Sequence, residues 1–390
     1  YRRNEKGLIF SLNHRVLQLN SLIDTGIEVS KLDQDASPQR LALERAASLT
    51  NASKGVLRVT SGERLKEEAY FPDGAPVQVT AVKNNRIATS FTFAEDTYTF
   101  ELFEKESRDG ILPFEETDQL LLDALARQVH ASLENRYLHQ QALEKQKIEQ
   151  DMAVAAAIQQ KILPRTLPSI SGYDIAGINI PSKSVGGDYY DCIPLGDGKY
   201  ALVIADVAGK GVQAALLVSS LHAYLSAYLE STIPLVLLAQ RLNKVIWQAS
   251  TDDKFITAFL ALLSPQTGEL ESLNAGHNPA YLLRTDNTVQ KLATGGIPLG
   301  LLEMDFPFES AKVTIGKGER LLLYTDGITE ASDEHEEFYD VHSPLREFVI
   351  HNKPDRAEVF IADLITDIKK FTGSAPQSDD ITALYLHRTS

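Results

Sequence analysis

Cysteine, tryptophan and long apolar runs are scarce or missing in this sequence. Its 390 residues include one cysteine, Cys192, and one tryptophan. A single cysteine excludes an intrachain disulfide and a zinc site built from several thiolates, and it fits a reducing compartment. No uncharged stretch reaches the length of a membrane span. The sequence also lacks a lysine and arginine stripe, and its net charge of −15 argues against nucleic acid as a partner.

The length of the chain predicts two or three domains, and 43% hydrophobic residues can supply their cores. The chain begins with Tyr1 rather than methionine. We therefore expect a fragment, whose missing N-terminal region would hold a receiver, a sensor or a membrane anchor. The expected location is the cytoplasm, with a membrane tether if that region holds an anchor.

Helix and strand patterns near the N-terminus predict a small sensory module. Apolar residues at helical spacing predict an N-terminal helix within residues 1–33 and a second helix over residues 38–50. Strand-like runs follow, beginning at Gly55, Val77, Ile87 and Thr97. A helix pair, a small sheet and a closing helix with Leu121, Leu122, Leu125 and Val129 form an α+β module, placed at residues 34–135.

This order of elements resembles a GAF domain. The resemblance implies a site for a small-molecule or protein signal, and a plain dimerisation scaffold is the alternative. Residues 55–113 contain neither cysteine nor histidine. A thiol-linked tetrapyrrole and a histidine-ligated haem are therefore disfavoured.

A long helix is predicted after this module, because residues 114–163 contain neither glycine nor proline. Its C-terminal part is placed at residues 136–167 as a helical linker. One interpretation is a spacer; the other is a helix pair across a homodimer that reports the state of the sensor. In the second interpretation the linker packs near the loop at residues 186–191 and switches the catalytic domain. The residues assigned to this switch are Met152, Ala155, Gln159, Ile162 and Leu163.

The remaining residues, 168–390, form one domain by composition. Strand-like runs are predicted at residues 173–179, 188–195, 199–205, 255–263, 269–273, 280–284, 320–325 and 381–387, and helices at 213–230, 234–250 and 356–372. The hairpin spacing predicts mainly antiparallel pairing, with two sheets that carry helices on their outer faces.

Aspartates stand at several predicted strand ends of this domain. They are Asp188, Asp206, Asp326 and the pair Asp379 and Asp380. Each alone has a plain explanation as a turn residue or a helix cap. If they converge, they form an all-oxygen pocket that suits Mg²⁺ or Mn²⁺ rather than zinc. Two such ions could share a carboxylate and a water that attacks phosphorus directly.

Seven ordered motifs in this domain resemble the SpoIIE- and RsbU-type serine/threonine phosphatases of the protein phosphatase 2C-like superfamily. They are GGDYYD at 186–191, DVAGKG at 206–211, FITAFLALL at 255–263, NAGHNPAYLL at 274–283, GGIPLGL at 295–301, TDGITEA at 325–331 and SDDIT at 378–382. The resemblance implies an α-β-β-α sandwich with a centre of two Mn²⁺ or Mg²⁺ ions at one end.

The resemblance also implies a role for each motif aspartate. Asp206 would bridge the two ions, and the backbone carbonyl of Val207 would bind one of them. Asp326 and Asp379 would hold the other ion, and Asp188 would lie at or beside the first coordination sphere. Asp380 ranks below Asp379, because the family often has asparagine at this position.

Three further side chains are weighed as catalytic candidates. His277 lies in a Gly-His-Asn-Pro turn, so a loop-ordering role is favoured over a general acid. Lys210 lies in a Gly-Lys-Gly turn that lacks the other residues of a phosphate-binding loop. Cys192 has no basic neighbour, which disfavours a thiol mechanism. The superfamily's eukaryotic members place an arginine near the phosphate, and no matching arginine is identified, so the substrate-binding residues remain unknown.

Taken together, the patterns and resemblances predict a sensor-regulated phosphoprotein phosphatase. The resemblance implies a phosphorylated STAS-type anti-sigma-factor antagonist as its substrate, in a bacterial partner-switching pathway. Two alternatives stay open. One is a non-catalytic binding module on a phosphatase fold, and the other is a phosphoesterase for small molecules.

Overall fold

The computed structural model describes residues 38–74, 85–108, 110–230, 233–250, 254–341 and 344–390. The chain divides into two compact units, Tyr1–Lys147 and Ile148–Ser390. The predicted N-terminal helix and the strand predicted from Val77 lie outside the described residues. No described helix combines the length and the apolar content that crossing a bilayer requires.

The first unit is built on an antiparallel sheet. Its described elements are α1 (Pro38–Thr50), β1 (Ala52–Ser61), β2 (Arg64–Phe71), β3 (Arg86–Phe93), β4 (Asp96–Ser107), β5 (Gly110–Leu112) and the start of α2 (Glu116–Gln159). The strand order is β2-β1-β4-β3, with β5 beside β4. Leu122, Leu125 and Val129 are buried in the core with α1 and the sheet, and Leu121 packs against it. The first turns of α2 therefore close this core, as the leucine spacing predicts.

The second unit contains two sheets. Its strands are β6 (Tyr173–Ile180), β7 (Asp188–Pro194), β8 (Tyr200–Val207), β9 (Ile256–Ser264), β10 (Glu269–Ala275), β11 (Ala280–Leu283), β12 (Val289–Leu292), β13 (Gly295–Gly296), β14 (Ala311–Thr314), β15 (Arg320–Tyr324) and β16 (Ile381–Arg388). Sheet I has the order β13-β10-β9-β8-β7 with β14 beside β10, and sheet II has the order β12-β11-β15-β16-β6. The pairing is antiparallel except between β10 and β13.

Helices cover the outer faces of both sheets. They are α3 (Val212–Tyr228), α4 (Leu235–Ala249), the short α5 (Asp326–Thr329), α6 (Pro344–His351) and α7 (Ala357–Thr372). Side chains alternate along each strand. In β8, Val203 and Ala205 pack with α3 and α4, whereas Leu202 and Ile204 pack between the sheets. Sheet II packs against α6 and α7 on its other side. The predicted α-β-β-α sandwich is confirmed.

Several short elements were not predicted from the sequence. Strands β12 and β14 have four residues each, with half or more of their side chains polar, and β13 has two glycines. Such segments carry little periodic signal, and tertiary pairing creates them. Helix α2 ends at Gln159, and a hydrogen-bonded turn continues to Leu163 before Pro164 stops it.

Candidate active site

The ends of four strands from both sheets bring the motif aspartates to one end of the sandwich. Asp188 begins β7 and Asp206 lies near the end of β8, where the two residues are direct cross-strand partners. Asp326 follows the end of β15, and Asp379 precedes the start of β16, which pairs with β15. Antiparallel pairing places the end of one strand beside the start of the next. This topology explains why residues far apart in sequence share one site.

A buried threonine ties the two sheets together at this end. The hydroxyl of Thr325 donates to Oδ2 of Asp188 at 2.8 Å. The hydroxyl oxygen of Thr325 in turn accepts a hydrogen bond from the backbone N–H of Thr382 at 3.1 Å. Thr325 is fully buried and Asp188 is 2% exposed. Sequence reasoning missed Thr325, although it directly precedes Asp326 in the TDG motif, because a hydroxyl next to a turn carries no signal of its own.

The carboxylates interact strongly with each other. Burial, together with the charges of Asp326, Asp379 and Asp380, raises the pKa of Asp206 to about 7. Burial and the charge of Asp206 also raise the pKa of Asp188 well above its ordinary value. The pKa of Asp326 is raised mainly by burial. Grouped carboxylates disfavour each other's ionised form, and a bound cation relieves that cost.

The donor atoms at this end fit a hard cation. A methyl group added at Gly187 would lie 3.0 Å from the carbonyl oxygen of Val207 and 3.2 Å from Oδ1 of Asp206. The glycine therefore leaves open a space that is faced by a carboxylate and a carbonyl, the ligand types that Mg²⁺ and Mn²⁺ prefer. Across the described ranges, no three His, Cys, Asp or Glu side chains already form a closed metal-binding cluster. The chemistry of the donors fits the ion, and their side chains would have to close around it.

Asp380 has a different environment from Asp379. Its Oδ1 accepts hydrogen bonds from the backbone N–H of Ser182 at 2.7 Å and from the hydroxyl of that serine at 2.9 Å. Its Oδ2 accepts the N–H of Gly187 at 2.7 Å. Asp380 is 5% exposed, whereas the side chain of Asp379 is 38% exposed. Asp380 thus holds the loop before β7, and Asp379 is the more accessible of the two carboxylates.

His277 connects the two sheets near the same end. The hydroxyl of Thr257 lies 2.9 Å from its Nδ1, and the carbonyl oxygen of Tyr324 lies 3.1 Å from its Nε2. The carbonyl can only accept, so Nε2 carries the proton and Nδ1 accepts from Thr257. Burial lowers the pKa of His277 to about 4. Both ring nitrogens have partners, which is the arrangement that a loop-ordering residue requires.

The other two candidates also have defined surroundings. The ammonium of Lys210 pairs with Asp379 at 2.9 Å and donates to the carbonyl of Ser378 at 2.7 Å. Cys192 is buried, and burial raises the pKa of its thiol to about 12. A thiol with this pKa is not ionised at neutral pH, so its nucleophilic form is absent.

The side chain of Gln159, at the end of α2, forms hydrogen bonds with the loop before β7. The amide of Gln159 donates to the carbonyl of Gly186 at 2.6 Å and accepts the N–H of Gly186 at 3.0 Å. Gln159 is buried at 8% exposure. Of the other assigned switch residues, Ile162 and Leu163 pack against the core beneath α3 and α4, and Met152 and Ala155 are half-buried.

Comparison with known proteins adds family information to this geometry. The family profile of Stage II sporulation protein E (SpoIIE) matches residues 196–389. Protein IcfG of Synechocystis sp. is 31% identical over 261 residues, which is 59% of this chain and 40% of IcfG. Phosphoserine phosphatase RsbU of Bacillus subtilis is 31% identical over 191 residues, which is 49% of this chain and 56% of RsbU. The chain therefore spans about half the length of these relatives.

Solved structures with a similar fold include a bacterial phosphatase domain. The SiaA-PP2C domain of Pseudomonas aeruginosa superposes with a TM-score of 0.55 at 22% sequence identity, and the match covers 63% of this chain and 99% of that domain. At this identity the likeness concerns the fold alone. It agrees with the two-sheet sandwich of the second unit.

Proposed function

Residues 196–389 belong to the SpoIIE family of PP2C-like phosphatase domains, and from this premise we propose that the chain is a metal-dependent serine/threonine phosphoprotein phosphatase. The proposal rests mainly on one observation: the strand ends that carry Asp188, Asp206, Asp326 and Asp379 lie at the same end of the sandwich. All four carboxylates are present, which argues against a phosphatase fold kept only as a binding module. A phosphoesterase for small molecules remains the alternative that an assay must separate.

Two Mn²⁺ or Mg²⁺ ions are the proposed cofactors. Asp206, the carbonyl of Val207, Asp326 and Asp379 would hold them, with Asp188 beside them. When bound, the ions supply positive charge for the phosphoryl oxygens and acidify water at neutral pH. The protein contributes position: the Thr325 hydroxyl fixes Asp188, and Asp380 fixes the loop that carries Gly187. No side chain of the chain needs to form a covalent bond with phosphorus.

The proposed substrate is a phosphoserine or phosphothreonine protein, and within that class a phosphorylated STAS-type anti-sigma-factor antagonist. Support comes from RsbU, whose name states phosphoserine phosphatase activity. Partner switching, in which the dephosphorylated antagonist captures an anti-sigma factor, is the pathway that we propose on the same basis.

Regulation is proposed to act through Gln159. This residue binds both backbone groups of Gly186, and the adjacent Gly187 faces the donors of the proposed metal site. A displacement of the end of α2 would therefore loosen the loop, because Asp380 alone would then hold it. We propose that a GAF-like sensor in the first unit biases this contact after binding a small-molecule or protein signal. A homodimer through the sensor and the linker is part of the proposal, and exposed Ile148, Val154 and Ile158 on α2 support it.

The test is release of inorganic phosphate from a phosphoserine-bearing STAS protein as a function of Mn²⁺ concentration. The wild type is compared with Asp326→Asn, whose folding is checked by thermal unfolding. Metal-dependent turnover that is lost in the folded variant is the expected result. A phosphopeptide and a nucleotide are assayed alongside, and a preference for the nucleotide would favour the small-molecule alternative. Absence of turnover on every substrate would favour the binding module.

A further inference from the structure

A cavity of about 340 Å³ lies on the outer side of sheet II, next to the carboxylates. Its walls come from the second half of α7, the turn after α5, and the segment that leads to Asp379. The residues that line it include Ala331, Ile365, Ile368, Lys369, Thr372 and Ala375. Ile365 and Ile368 belong to the buried core below, so the floor of the cavity is apolar. The volume falls in the range of pockets that bind small organic groups.

The cavity shares its wall with the candidate active site. Gly327 and Ser378 line it, and they are the chain neighbours of Asp326 and Asp379. A molecule in the cavity therefore contacts residues that are adjacent in sequence to Asp326 and Asp379. Since an extended chain advances about 3.3 Å per residue, a phosphoserine at the carboxylates places side chains one to three residues away within reach of this cavity.

Hydrogen bonds hold the wall that separates the cavity from the carboxylates. The amide of Gln377 donates to the carbonyl of Ile180 at 2.8 Å and to the carbonyl of Asp379 at 2.7 Å. The N–H of Gly373 donates to the carbonyl of Lys369 at 3.1 Å and closes the end of α7. The cavity is thus formed before any partner binds, which lowers the entropic cost of binding.

The charge at the rim indicates the kind of partner. The ammonium of Lys369 is exposed and has no side-chain hydrogen bond or ion pair within the part of the chain that the structure describes. An apolar floor below a free cation suits an apolar side chain in an acidic peptide, and a phosphorylated segment is acidic.

We propose that this cavity is a specificity site that takes an apolar side chain lying within three residues of the phosphoserine in the protein substrate. The proposal rests on the proposed phosphatase function and adds a sequence requirement to it. Continuity with the carboxylates selects the substrate itself as the occupant, rather than an unrelated ligand. Filling an apolar pocket with the correct side chain commonly changes catalytic efficiency by about 10-fold or more.

The experiment uses the full chain and a set of fluorescein-labelled phosphoserine decapeptides. The peptides have an alanine background and carry phenylalanine at one position from −3 to +3, or serine as the reference. The quantity measured is the ratio of kcat/KM for the phenylalanine peptide to kcat/KM for the serine peptide. Two variants fill the cavity from different walls, Thr372→Trp and Ala375→Trp. Ala362→Trp, on the exposed face of α7, is the matched control.

The wild type and Ala362→Trp are expected to prefer at least one phenylalanine peptide by about 10-fold, mainly through KM, and both filled variants to lose that preference. A wild type without preference, or filled variants that keep it, would overturn the proposal. If the wild type releases phosphate neither from these peptides nor from the phosphoserine-bearing STAS protein, the proposed function fails by itself. The cavity is then tested by fluorescence anisotropy with the same peptides. Tighter binding of a phenylalanine peptide than of the serine peptide by the wild type and Ala362→Trp, but not by the two filled variants, supports the proposal. Equal preference in all four proteins rejects it.

Discussion

The ammonium nitrogen of Lys210 lies 2.9 Å from Oδ2 of Asp379, one of the carboxylates assigned to the metal site. Its charge also opposes the rise in the pKa of Asp326, the partner of Asp379 in the proposed site. Lys210 therefore supplies part of the positive charge that these carboxylates need. In the proposed site, a metal ion at Oδ2 of Asp379 would have to replace this contact, so the lysine and the metal would compete for that oxygen.

Replacing Lys210 by methionine should therefore strengthen metal binding. Partly exposed ion pairs contribute about 0.2–1 kcal/mol, which corresponds to a Kd for Mn²⁺ lower by up to about 5-fold. Isothermal titration calorimetry measures this directly and without turnover. Lys199→Met is the control, because Lys199 is equally exposed and pairs with Asp197 on the surface. Weaker Mn²⁺ binding by Lys210→Met would instead mean that the lysine positions Asp379 for the ion.

Asp379 and Asp380 should separate metal binding from stability. Asp379→Asn removes an accessible carboxylate and is expected to abolish Mn²⁺ binding at little cost to folding. Asp380→Asn turns one acceptor into an amide donor that faces the N–H of Gly187 or the groups of Ser182. An unsatisfied buried group costs about 1–3 kcal/mol, so this variant should lose stability of that order. Urea unfolding measures the stability of the two variants, and calorimetry with Mn²⁺ measures their metal binding. If Asp380→Asn lost as much Mn²⁺ binding as Asp379→Asn, the assignment of Asp379 to the metal and Asp380 to the loop would be contradicted.

Gly186 should tolerate no side chain. A methyl group at this position would collide with the carboxylate of Asp380, which is buried and held by three hydrogen bonds. Gly186→Ala should therefore displace the loop, lower the free energy of unfolding by about 1–3 kcal/mol and abolish phosphate release. Gly196→Ala is the matched control, because a methyl group there meets nothing within 4 Å. Wild-type activity in Gly186→Ala would show that the loop can move without loss of the site.

Gln159 offers a test of regulation that leaves every aspartate in place. Gln159→Leu keeps the size of the side chain but leaves the N–H and the carbonyl of Gly186 without these partners. We expect the loop to loosen and the Mn²⁺ concentration for half-maximal phosphate release to rise about 10-fold, from about 1.4 kcal/mol of lost loop stability. Gln160→Leu, at the exposed neighbouring position, should behave as the wild type. An unchanged Mn²⁺ requirement in Gln159→Leu would exclude the end of α2 as the switch.

The sequence predicts the long periodic elements of the second unit because each buries a continuous apolar face. Strand β8 and helices α4 and α7 are examples, and their predicted bounds agree with the structure within a few residues. The partners within the site could not be predicted in the same way. The hydroxyl of Thr325, the loop bonds of Asp380 and the pairing of Lys210 depend on contacts across 55 to 198 residues of sequence. Local patterns carry no information on such contacts, since the topology of the two sheets determines them.

His277 should make the stability of the second unit depend on pH. Its pKa of about 4 in the folded chain lies below the ordinary value of about 6.5. Between these values the unfolded chain binds a proton that the folded chain does not, so stability is full above about pH 6.5 and is lost on acidification towards pH 4. The difference between these two pKa values corresponds to about 3 kcal/mol of folding free energy.

His277→Gln removes the titrating group and keeps an amide donor for the carbonyl of Tyr324. Urea unfolding without metal is followed by the fluorescence of Trp247, the sole tryptophan, which lies in the second unit. Between pH 7 and pH 4.5 the wild type should lose about 2–3 kcal/mol more than the variant. The difference between the two proteins isolates the histidine, because the carboxylates titrate in both. If both proteins lose the same free energy, the pKa of His277 is the same in the folded and unfolded states, and a general-acid role for His277 would again have to be considered.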